Sequence, residues 1–150
     1  RNSTAKWKIV TCHHSVFSPA KGRDFEFARK YWKPLFDEYG VDLVLNGHDH
    51  TYARGHIPIK STDNDKLTNF NTLYVTSVSG PKQYKLGLDQ IENYKLDGYK
   101  ADKLGEQTQF FQVISISKNK LTYTAYTVLG NEYDKAVIIK DFSTGKKTLQ

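Results

Sequence analysis

The sequence has 150 residues with one cysteine, no methionine, four prolines and two tryptophans. A single thiol, Cys12, excludes an internal disulfide, so packing and hydrogen bonds must hold the fold. That leaves the compartment open, an extracellular or periplasmic one included. The absence of methionine, even as an initiator, leads us to expect a cut or processed piece of something longer. Long apolar runs are missing as well. A stretch such as "AVII", Ala136 to Ile139, is far too short for a membrane helix. The net charge is +6, yet no run of five or six basic residues occurs. A solvated basic surface is therefore expected, and nucleic acid is not an expected partner. What is present is ordinary for a globular chain, 38% apolar and 25% charged residues, which argues against wholesale disorder. The length suits one domain over residues 1–150.

Periodicity places the elements. "WKIVTC" (Trp7 to Cys12) is short, apolar and β-branched, and predicts a buried strand. "HHSVFSPAKG" reads as a polar loop. From Asp24 to Tyr39 apolar residues recur at helical spacing, with Asp24 as N-cap, Gly40 as stop, and Pro34 predicting a kink or two short helices. "VDLVLN" (Val41 to Asn46) predicts a second buried strand. Strand, loop, helix, strand is the pattern of a parallel pair. "NTLYVTSVSGPK" predicts a strand broken at Gly80-Pro81, while the Lys- and Tyr-rich stretch from Gln83 to Gln109 stays unassigned. Its Tyr84 to Lys100 portion is read as a solvated loop over a cleft. "FFQVISIS", "LTYTAYTVL" and "EYDKAVIIKDF", separated by "KNK" and "GN", predict an antiparallel meander.

The histidines then stand out. His13 ends the first strand, and His48 and His50 follow the second in "VLNGHDHTYARG". In extended backbone, residues i and i+2 point to one side. With neighbouring strands, three imidazoles would meet at one sheet edge, where open α/β sheets bind ligands. Asp42 and Asp49 are nearby carboxylates in the sequence. Converging imidazoles are a common way to hold a metal, although satisfied polar histidines would give the same pattern.

The motifs V-x-x-H (Val10 to His13) and G-H-x-H (Gly47 to His50), with Thr51-Tyr52-Ala53-Arg54 after them, resemble the last two ligand blocks of the calcineurin-like metallophosphoesterases. The purple-acid-phosphatase-like branch is the nearest likeness. The resemblance implies the C-terminal half of a four-layer αββα sandwich. It implies that His13 and His48 ligate one metal of a dinuclear centre and His50 the other. The metals would be iron, zinc or manganese, and the substrate a phosphoric ester. Two such cations, roughly 3.5–4 Å apart, clamp phosphate and bring a bound water's pKa to about 7. Gly47 would let the backbone turn sharply beside them.

The family's first three blocks, two aspartates and an asparagine, lie before V-x-x-H, and the residues before His13 hold none of them. "GNEY" (Gly130 to Tyr133) falls after G-H-x-H and reads as a turn. The expectation is a fragment that is inactive and holds metal poorly alone, whose partner is the N-terminal half of the same domain. Exposed sheet surface would favour self-association. The alternative is a non-catalytic β-rich binding module, or a degenerate family member with structural histidines. His14 should alternate away from His13 unless the loop turns it towards substrate, in a supporting acid role. Cys12 is expected to be buried and inert, Asp49 to face away from the metals, His56 to lack a role, and Tyr52 and Arg54 to brace the loop.

Overall fold

The computed structural model describes residues 3–59 and 68–150. In chain order its elements are β1 (Ile9–Cys12), a π-helical turn (Ala28–Trp32), α1 (Lys33–Glu38), β2 (Leu43–Asn46), β3 (Tyr52–Pro58) and β4 (Thr68–Thr76). There follow α2 (Leu88–Asn93), a 3-10 turn (Tyr94–Asp97), β5 (Lys100–Gly105), β6 (Phe110–Ser117), β7 (Lys120–Thr127), β8 (Glu132–Lys140) and β9 (Lys147–Leu149).

β1, β2 and β4 run parallel, with Ile9 opposite Leu43 and Leu43 opposite Leu73. β3 joins β4 antiparallel, and β5 joins β3. β6, β7 and β8 form the predicted meander, and β9, which the sequence reading did not anticipate, extends it. The start of β4 pairs with β9 through Thr68 and Asn69, so this one strand links the two sheets.

Strand alternation sorts the apolar side chains into two cores. Leu43, Leu73 and Val75 face the meander and pack with Leu121, Tyr123, Ala136 and Ile138. Their neighbours Val44 and Tyr74 face the other way, against Val16, Phe17, Ala28, Tyr94 and Tyr99. Each fully buried Leu or Val of this kind contributes about 1.5–3 kcal/mol. The result is helices on a mixed sheet on a meander, three layers of the expected αββα sandwich. On the meander's outer side Phe111 and Val113 remain 47% and 46% exposed, and Ile116, on the opposite face near the end of β6, is 47% exposed. No helix among the described residues is long and apolar enough to cross a membrane.

Several expectations need correction. The helical segment is not broken at Pro34: it runs on from the π-helical turn into α1 with Trp32 and Lys33 both in the right-handed helical region, and Pro34 falls in the first turn after the change of pitch. Asp24 caps nothing; its carboxylate instead pairs with Arg29 and accepts the Tyr94 hydroxyl at 3.0 Å. The loop after β1 is not a solvated one, because Ser15 to Ala20 are buried. Nor is the Tyr84 to Lys100 stretch an open loop. Tyr94 and Tyr99 are 3% and 4% exposed, and Tyr99 stacks on Phe17 at 4.2 Å. Its tyrosines carry a core that its lysines hide from a hydropathy reading.

Candidate metal centre

Because β1 and β2 are parallel neighbours in register, both C-terminal ends open on the same edge, Cys12 beside Asn46. Asn46 ties those ends together. Its side-chain amide donates to the carbonyls of Cys12 and His14 at 2.9 and 3.0 Å. The Gly47 N–H donates to His13 O at 3.1 Å, and Ser15 Oγ donates to Gly47 O at 3.2 Å.

The turn that follows is not extended. His48 and His50 adopt φ of 67° and 46°, the left-handed region that costs an ordinary side chain of order 1–3 kcal/mol. Gly47 is outside that region, and a Cβ there would lie 3.8 Å from His13 Nδ1, ordinary contact. The histidines themselves make the sharp turn, and this backbone sends their rings apart.

His13 Nε2 and His48 Nδ1 face each other at 3.0 Å. His14 joins them, its ring 4.1 Å from that of His48 and 5.5 Å from that of His13. The loop has therefore turned His14 inward, against strict strand alternation. His50 makes its contacts elsewhere: Nδ1 lies 2.9 Å from the Lys82 carbonyl, and the ring sits 4.8 Å from Tyr84. The expected meeting of all three motif imidazoles is thus corrected to His13 with His48, joined by His14. Among the described residues, no three His, Cys, Asp or Glu side chains are placed to hold one metal ion.

The residues present nevertheless suit part of a centre. Two ligand nitrogens on one cation, at about 2.0–2.1 Å each and roughly 90–110° apart, are separated by roughly 2.8–3.4 Å. The His13–His48 separation falls inside that range. Burial, then the Arg23 guanidinium, shifts His48 below the ordinary imidazole range, which favours the neutral form that ligates. His50 donates Nδ1–H to a backbone carbonyl, the orientation by which metal-ligating histidines leave Nε2 available.

The carboxylates divide. Asp49 is buried and accepts Arg23 Nε at 3.0 Å, away from His13. Asp42 is not near the site at all. It begins the β2 approach, and its carboxylate accepts Lys140 Nζ at 2.8 Å and the Lys8 N–H at 2.8 Å. Cys12 is half-buried, and burial pushes its thiol up. His56 is buried, with Nδ1 2.6 Å from Asp102. Tyr52 and Arg54 brace the fold as expected, both bonded to Asp134. Arg23 and Asn46 escaped sequence reasoning. Asn46 had a faint signal as an amide ending a strand, whereas Arg23 lies in a different loop from His48 and had none.

The sequence profile described as calcineurin-like phosphoesterase matches residues 1–52. Purple acid phosphatase 3 of Arabidopsis thaliana is 30% identical over 132 residues, covering 87% of this chain and 32% of that protein. Purple acid phosphatase 17 of the same plant is 42% identical over 91 residues, 61% of this chain and 24% of its own length. Among solved structures, a purple acid phosphatase from yellow lupin (Lupinus luteus) seeds superposes with a TM-score of 0.57 at 17% identity. That match covers 91% of this chain and 25% of the lupin one. The chain spans less than two fifths of the length of the curated relatives it matches. Profile, relatives and fold agree, and the chain belongs to the calcineurin-like metallophosphoesterases, in their purple-acid-phosphatase-like branch.

Proposed function

We propose that this chain is the C-terminal portion of a single metallophosphoesterase domain, and that the whole domain hydrolyses phosphoric esters at a dinuclear metal centre. The observation that carries the reading is the His13 Nε2 to His48 Nδ1 pair, held at the matched ends of two parallel strands. In this reading His13 and His48 hold one metal and His50, through Nε2, the other. The remaining ligands come from residues outside these 150.

Iron, zinc or manganese, when bound, neutralises phosphate charge and acidifies a water. The chain's own residues do the positioning. Asn46 fixes the spacing of the two strand ends, and the Lys82 carbonyl sets the tautomer of His50. His14, beside both His13 and His48, is placed to donate a proton or a hydrogen bond to an ester oxygen. Taken by itself, the chain offers half of a centre and is expected to be inactive.

The test compares the longer protein containing this chain with its His48→Ala variant on p-nitrophenyl phosphate, with and without chelator, alongside elemental analysis. Hydrolysis that chelator abolishes, with about two metal ions bound and at least one lost in the variant, supports the reading. Hydrolysis indifferent to chelator overturns the metal centre, and a metal-free folded protein that hydrolyses nothing and shows salt-sensitive polymer binding supports a binding module instead.

A further inference from the structure

From the candidate centre a file of aromatic rings runs outward along the loop and helical segment after β1. The His14 ring, 4.1 Å from that of His48, lies 4.6 Å from the ring of Phe25. Phe25 stands 5.8 Å from Phe27, and Phe27 stands 4.6 Å from Tyr31. We propose that Phe25 and Phe27 form a platform for the organic group of the ester and select a leaving group that carries an aromatic ring. This rests on the reading above for where the phosphoryl group reacts.

Three observations carry it, and the first is exposure. Phe25 is half-buried, while Phe27 and Tyr31 are 51% and 50% exposed. Single apolar side chains at a surface need no explanation. Contiguous rings left open to water mark a surface that meets a ligand.

The second is that the rings are held in place. The Lys33 N–H reaches back to the Ala28 carbonyl, an i→i+5 bond, and such π turns are frequent at functional sites. In this segment Trp32 stands edge-on to both phenylalanines, 5.6 Å from Phe25 and 6.1 Å from Phe27. Edge-to-face contact is a favourable arrangement for aromatic pairs. Trp32 therefore fixes the platform before anything binds, which lowers the ordering cost of binding.

The third is direction. His14 is placed to donate to the ester oxygen, so the leaving group departs on its side. Carbon attached to that oxygen lies one ring contact farther on, at Phe25. Phe25 also lines, with His14 and His48, the cavity of about 240 Å³ beside the centre. Phe27 continues that wall outward, so a ring on the leaving group meets aromatic faces where a short alkyl chain meets water.

Benzyl phosphate and ethyl phosphate test this in the longer protein, because their leaving alcohols are of nearly equal acidity and differ in the ring. The parent should favour the benzyl ester in kcat/KM by about threefold or more, the worth of one good aromatic contact. Phe27→Ala should bring the two esters together, and Phe27→Tyr, which keeps the ring, should keep the preference. Leu35→Ala, at a 48% exposed position on the same helical segment but beyond the rings, should keep it too. Phe25→Leu should lower it, but Phe25 packs against the core, so the half-exposed Phe27 carries the test. Equal rates on the two esters in the parent, a preference that survives Phe27→Ala, or one lost equally in Leu35→Ala overturns the platform and leaves the enzyme. Hydrolysis of neither ester overturns the enzyme instead, and calorimetry with benzylphosphonate and ethylphosphonate then still reads the platform. Tighter benzylphosphonate binding that is lost in Phe27→Ala supports it, and equal binding of the two overturns it.

Discussion

Arg54 of β3 lays its guanidinium on the Asp134 carboxylate of β8, with Nε 2.7 Å from one oxygen and Nη2 3.0 Å from the other. Its remaining nitrogen reaches Asp102 of β5 at 3.0 Å, and the Tyr52 hydroxyl donates to Asp134 at 2.7 Å. One buried cation thus joins the mixed sheet to the meander directly behind the turn that carries His48 and His50. Asp134→Ala should remove the carboxylate acceptor of Tyr52 and leave Arg54 with Asp102 alone, destabilising the protein by up to about 3–5 kcal/mol. Urea unfolding measures this, and a loss under 1 kcal/mol would show that the bridge is not holding the sheets together.

Gly55, on the same strand, has no room for a side chain. A Cβ there would lie 2.4 Å from the Lys100 carbonyl oxygen and 2.4 Å from the Tyr99 ring. Gly55→Ala should therefore cost about 1–3 kcal/mol or more through overpacking. Gly47→Ala meets only ordinary contact at 3.8 Å and should stay within about 0.5 kcal/mol of the parent. Equal melting temperatures for the two variants would refute this contrast.

The turn between β8 and β9 predicts a pH dependence. The Ser143 hydroxyl and backbone N–H donate to Asp141 Oδ1 at 2.6 and 2.8 Å, and these bonds, the hydroxyl first, bring its carboxyl down to about 2. A folded-state pKa below the unfolded one stabilises the charged form. That contribution is complete above the ordinary carboxylate range and is lost as pH falls towards 2. An NMR titration should place Asp141 near 2 and return it towards the ordinary range in Ser143→Ala. A midpoint already at the ordinary value in the parent would contradict the geometry.

β6 ends the sheet order, with half-exposed Phe111, Val113 and Ile116 on an edge strand. Unpaired apolar edges template association. Sedimentation velocity should show concentration-dependent self-association, which Val113→Lys abolishes. A strictly monomeric parent at all concentrations would show that this edge is inert.

How much of this was legible beforehand depended on whether the signal was local. The β-branched runs at Ile9 to Cys12 and Leu43 to Asn46 and the "KNK" and "GN" turns follow from short-range sterics and alternation, and all are present, although β1 is not the buried strand expected: its residues alternate between exposed and half-buried, with Ile9 41% exposed. Tyr94 and Tyr99 were misread because lysines flanking a core aromatic look like a solvated loop until packing partners are known. Asp24 looked like a cap, but Arg29 and Tyr94 compete for the same carboxylate.

The motif order V-x-x-H then G-H-x-H belongs to the sequence alone, because the residue types and their separation survive without coordinates. Their family assignment follows from it. Only the tertiary structure decided which nitrogens meet. The left-handed turn at His48 and His50 separates two rings that extended backbone would have kept together, and the β1–β2 register brings His13 and His14 to His48 instead. Arg23 and Asp134 acquire their roles from contacts between distant segments, which no local periodicity encodes.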